Sequence, residues 1–100
     1  MRDKSTVQWR DFLIEVSFDP DWLEMSKHGH STAHIEVRVL APEGGRLPIT
    51  ETGYKSCFTH PDVVASYGSA IALVNAWLDE AANSEGWKQY ERERQQLSLF

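Results

Sequence analysis

Thr32-Ala-His-Ile-Glu-Val-Arg-Val-Leu40 decides the fold class, because Ala33, Ile35, Val37 and Val39 alternate with Thr32, His34, Glu36, Arg38 and Leu40. Successive strand side chains point to opposite faces, so the segment carries one apolar face and one largely wetted face. Phe12-Leu-Ile-Glu-Val-Ser-Phe18 repeats the pattern through Phe12, Ile14, Val16 and Phe18. Two half-buried strands imply an antiparallel sheet packed on one side only. Upstream, Val7-Gln-Trp-Arg-Asp11 keeps the parity imperfectly, which fits either an early strand start or a short N-terminal arm. Asp19-Pro-Asp-Trp22 supplies turn residues, and the stretch to Ser31 lacks periodicity, so a long connection or a short helical turn is expected there. Pro42-Glu-Gly-Gly-Arg46 ends the second strand, and Tyr54-Lys-Ser-Cys-Phe58 reads as a third strand or an irregular edge.

From Pro61 the period becomes helical. Ile71, Val74, Trp77, Leu78 and Ala81 predict a main helix over about 69–82, with Ser69 as its cap and Gly68 as a break after the short Asp62–Tyr67 segment. Its apolar stripe is expected to cover the dry face of the sheet, with Trp77 against Ile14, Val16, Ile35 and Val37. A second helical segment over about 85–95 carries Trp87 and Tyr90 near its start and charged residues beyond. The predicted architecture is α+β: a small antiparallel sheet of two to three strands packed against one main helix plus a C-terminal helical segment. Residues 1–95 form the compact domain in this scheme, and residues 96–100 form a separate tail.

A chain of 100 residues supports one modest core. Ten Lys+Arg against fifteen Asp+Glu give a formal charge of -5, and neither half of the chain is basic, so direct nucleic-acid binding is disfavoured. The single cysteine excludes an intrachain disulfide and any multi-cysteine metal site. No long apolar run is present, so no membrane span or secretory signal is expected, and the cytoplasm fits best.

The chain ends Gln96-Leu97-Ser98-Leu99-Phe100, an apolar cluster directly after a charged helical segment. Ordering a terminus costs conformational entropy, so such a cluster is expected either to fold back onto its own core or to dock on another molecule. In docking, the Gln96 amide would donate and accept hydrogen bonds, Ser98 would be a small spacer, and Leu97, Leu99 and Phe100 would supply apolar surface.

The pentapeptide resembles the bacterial sliding-clamp-binding motif, Gln-Leu, then Ser or Asp, then Leu-Phe, at all five positions. The resemblance implies that Gln96 anchors one edge of a clamp pocket while Leu99 and Phe100 fill it. It implies a partner, the sliding clamp, and assigns no activity to residues 1–95. A ring with repeated sites would hold several copies, or a homo-oligomer, through avidity.

Other residues offer competing chemistry. His28, His30 and His34 could bind a transition metal, but in an extended strand His30 and His34 would lie about 13 Å apart along the backbone, too far for joint chelation without a bend. A solvated polar face accounts for them more simply. Cys57 and His60 invite a thiol-base pair in a small enzyme, yet their spacing in a strand does not ensure contact, and no orienting partner is apparent. Asp19/Asp21 and Glu91/Glu93 read as turn and solvated-helix carboxylates. No glycine-rich phosphate motif occurs, and Gly44-Gly45 reads as turn geometry, so no catalytic residue, metal or cofactor is assigned. Trp9 and Trp22 are expected to pack in the core or in a satellite cluster.

Overall fold

The computed structural model describes the backbone of residues 2–98 and the side chains of residues 2–94. Four strands, β1 (Asp3–Trp9), β2 (Phe12–Asp19), β3 (Ala33–Ala41) and β4 (Tyr54–Thr59), form one antiparallel sheet in the order β1-β2-β3-β4. Three helices follow, α1 (Pro61–Tyr67), α2 (Ala70–Ala81) and α3 (Glu85–Ser98). The α+β class is as predicted, while the strand count exceeds the expected two to three.

The additional strand is β1, paired with β2 from Asp3↔Phe18 to Trp9↔Phe12. Its turn consists of Arg10 and Asp11, with Arg10 at φ 52, a left-handed conformation that favours glycine or asparagine. Between β2 and β3 lies a 3-10 segment, Trp22–His28, where Leu23 and Glu24 also take positive φ. Asp21 stabilises this connection: its carboxylate accepts from Ser26 N at 3.1 Å and from Ser26 Oγ at 2.6 Å. After β3 the chain turns tightly at Gly45, where a Cβ would lie 2.9 Å from Pro42 O and 3.1 Å from the Phe12 ring. Only glycine fits that approach.

The helices cover the face bearing Ile14, Val16, Ile35 and Val37, all essentially inaccessible to solvent. Ser69 caps α2 as expected, its Oγ accepting from Ala72 N at 3.0 Å. Ala70, Leu73, Val74 and Leu78 carry α2 into the core. Trp77 is half-buried at the margin of that core, because the buried stripe of α2 passes through its neighbours Val74 and Leu78. The first turns of α3 close the other end, where the Trp87 ring lies tilted against both Trp9 and Phe12 (centroids 5.9 and 5.8 Å) and Tyr90 follows at 5.1 Å. The helix continues past the expected limit at residue 95 to Ser98. Glu91, Arg92, Glu93, Arg94, Gln95 and Gln96 are good helix formers with no glycine or proline among them.

The indole of Trp9 donates through Nε1 to Asp79 Oδ1 at 2.9 Å, tying β1 to α2. Asp79→Ala removes that acceptor. We expect it to lower stability by about 1 kcal/mol, because exposed Asp79 leaves room for water to compensate in part. An unchanged denaturant midpoint would contradict this.

Candidate functional site

The face of the sheet opposite the helices carries an ordered polar and aromatic cluster. Strand register places Asp19, His34 and Phe58 in one cross-strand row and Ser17, Glu36 and Ser56 in the next. His34 stacks flat on Phe58, with centroids 4.4 Å apart and planes 10° apart, and Trp22 closes edge-on over Phe58 at 4.7 Å. Arg2 reaches across from the N-terminus. Its Nη2 donates to His34 Nδ1 at 2.9 Å, and its Nη1 bonds the Glu36 carboxylate. His34 Nε2 meets Ser56 Oγ at 2.6 Å.

His34 Nδ1 also lies 3.5 Å from Glu36 Oε1. A guanidinium only donates, so a neutral His34 that accepts from Arg2 at Nδ1 carries its proton on Nε2 and donates to Ser56. A serine nucleophile needs the reverse, an Nε2 lone pair facing the hydroxyl. With Arg2 in place, the Ser56-His34-Glu36 grouping is a clasp. It joins the N-terminus, the 3-10 segment, β3 and β4.

The hydrogen bond from Arg2, above all, holds the Glu36 carboxyl below its ordinary pKa of 4.5. The bonds from Ser26 do the same for Asp21. A carboxylate whose folded pKa lies below its unfolded value stabilises the fold above the unfolded pKa and loses that contribution as pH falls through the folded one. Stability is thus expected to decline as pH drops below about 4.5. Glu36→Gln should make urea unfolding less sensitive to pH between about 5 and 3 than in the parent chain. Equal pH slopes for the two proteins would refute the Glu36 contribution.

The residues singled out from sequence are dispersed. His28 ends the 3-10 segment, His30 lies exposed in the following loop, and His34 is buried in β3. The expectation of a solvated His34 is corrected, because Trp22 and Phe58 cover the ring. Among the described residues, no group of three His, Cys, Asp or Glu side chains is placed to hold a metal ion. His60 caps α1, its Nδ1 accepting from Asp62 N at 3.1 Å, so the lone pair a thiol base would use is engaged with the helix backbone. Cys57 lies on the helix-facing side of β4, beside Val63, Tyr67 and Trp77. The backbone of Gln96, Leu97 and Ser98 belongs to α3. Leu99 and Phe100 lie outside the described residues.

Residues 2–87 match the family described as KlcB third domain. The chain belongs to this family. The KlcB third domain match takes in the whole sheet, α1, α2, the Arg2–His34–Ser56 clasp and Trp87 of α3, and it stops before Gln96. No curated protein and no solved structure matches the chain. Among the described residues, no helix is long and apolar enough to cross a membrane.

The clasp escaped the sequence reading because Arg2 and Ser56 lie 32 and 22 residues from His34. Only the alternation of His34 and Glu36 on one strand face hinted that the two share a surface.

Proposed function

We propose that this chain is a non-enzymatic interaction protein that docks on the bacterial DNA sliding clamp through Gln96, Leu97, Ser98, Leu99 and Phe100. The carrying observation is the five-position agreement with the clamp-binding motif. One further feature supports it: the family match ends at residue 87, so the pentapeptide lies outside the matched region. Docking would bring the α+β body to replication sites or displace other clamp clients, in the cytoplasm where the clamp works. The net charge of -5 is compatible with this role, because the clamp supplies the contacts to DNA.

The test is calorimetric titration of the full chain into a purified bacterial sliding clamp. We expect saturable binding with an affinity of about 1–10 µM for one tail on one pocket. No binding at about 100 µM would reject the proposal.

A further inference from the structure

β4 is an edge strand, and the direction of its hydrogen bonds can be read off its partner. Val39 N donates to Gly53 O at 2.8 Å, so the bonds to β3 fall at Gly53, Lys55, Cys57 and Thr59. The backbone groups of Tyr54, Ser56 and Phe58 therefore point outward. Those of Tyr54 are already occupied: its carbonyl accepts from Thr50 Oγ1 at 2.9 Å and Thr52 Oγ1 at 3.2 Å, and its N–H donates to Thr52 Oγ1 at 3.4 Å. Pro61 closes the other end. What stays open is a short ladder, the N–H and C=O groups of Ser56 and Phe58, and among the described residues only the Cys57 thiol, at 3.9 Å, meets the Phe58 carbonyl.

Apolar surface is concentrated on both sides of this edge. Tyr54 and Phe58 on the open face are 40% and 52% exposed, and Val63 and Tyr67 of α1 on the helix side are 43% and 51% exposed. The last two border a groove of about 200 Å³ that also touches Cys57 and Trp77. The opposite edge of the sheet differs. Its outward-facing residues are Lys4, Thr6 and Gln8, and among the described residues β1 carries no exposed large apolar side chain.

We propose that β4 pairs antiparallel with β4 of a second copy of this chain, about a two-fold axis through Cys57. In that register Ser56 lies opposite the partner's Phe58 and Phe58 opposite the partner's Ser56, so every open backbone group of one copy meets one on the other. Cys57 faces its own counterpart. Lys55 lies opposite the partner's Thr59, two residues before the partner's α1, whose first turn carries Asp62, 91% exposed. Among the described residues, Lys55 makes no ion pair at home, and by symmetry the interface contains this juxtaposition twice. This charge match, together with Cys57 facing its own counterpart and Phe58 lying diagonal to the partner's Phe58, selects a second copy over an unrelated strand. The inference does not depend on the clamp tail.

Sedimentation equilibrium of the full chain from about 5 to 500 µM is expected to show a monomer–dimer equilibrium. Lys55→Glu and Asp62→Lys, both at exposed positions, should each weaken it by about three- to tenfold, and the double variant should recover the parent affinity. Facing residues in a non-hydrogen-bonded pair have Cα atoms about 4.5 Å apart, within disulfide reach. Diamide, which takes two electrons and two protons from a pair of thiols, should therefore trap a covalent dimer that Cys57→Ser abolishes. A monomer throughout the range overturns the proposal. So does a dimer that ignores both single charge reversals, or one that diamide fails to trap. Truncation after Gln95 should leave self-association intact, which separates this interface from the tail.

Discussion

A chain truncated after Gln95 is expected to lose clamp binding altogether, a drop of more than about a hundredfold from a micromolar starting point. Burying Leu97, Leu99 and Phe100 is worth about 5–8 kcal/mol gross, whereas ordering five residues costs about 5–10 kcal/mol before side-chain terms. With so little surplus, the Gln96 hydrogen bonds and each apolar anchor matter, and Phe100→Ala alone should weaken binding at least about tenfold. The same truncation should leave cooperative melting unchanged if the tail serves a partner. Undiminished heat with the truncated chain would defeat clamp docking through this segment. Loss of cooperative unfolding would instead show that the tail closes the chain's own core.

Phe12→Ala is expected to produce the largest loss of stability of any single change, about 3–5 kcal/mol. Phe12 is fully buried where the β1–β2 turn meets α3: Trp9 stacks at 6.0 Å, Trp87 lies tilted at 5.8 Å, and the Arg94 guanidinium lies over the ring at 4.6 Å. The Gly45 turn packs directly against the ring, so truncating it strips contacts from two tryptophans and from that turn at once. Since domains of this size are stable by about 5–15 kcal/mol, the variant should be close to its unfolding threshold, with a Tm lowered by more than about 10 °C. A fall in stability below about 1 kcal/mol would mean that the aromatic cluster relaxes around the gap.

Local periodicity carried as much of the fold as it could. β2, β3 and α2 were legible because each buries one face of a regular element, and Phe12 to Phe18, Ala33 to Val39 and Ile71 to Leu78 display the corresponding period directly. Ser69 was legible as a cap because a hydroxyl just before an apolar helix satisfies a free backbone N–H. β1 was not. Asp3, Lys4, Ser5 and Thr6 are polar at both parities, and the Arg10-Asp11 turn lacks the residue types that announce a hairpin, since pairing with β2 imposes the positive φ at Arg10. His34 was placed correctly on the open face but wrongly in solvent, because Trp22 and Phe58, which cover it, arrive from a connection and an edge strand without sequence periodicity of their own.

The two alternating strands and one amphipathic helix, within a chain of 100 residues, determined the α+β class by themselves. The Gln96–Phe100 pentapeptide is likewise a property of sequence, since a short docking motif is carried by residue order. Only the tertiary structure decided the partners of the two His34 ring nitrogens, the covering of one part of the sheet's open face and the open backbone groups of Ser56 and Phe58. Each depends on atoms brought together from distant positions, and a strand's free edge exists only once its other side has found a partner.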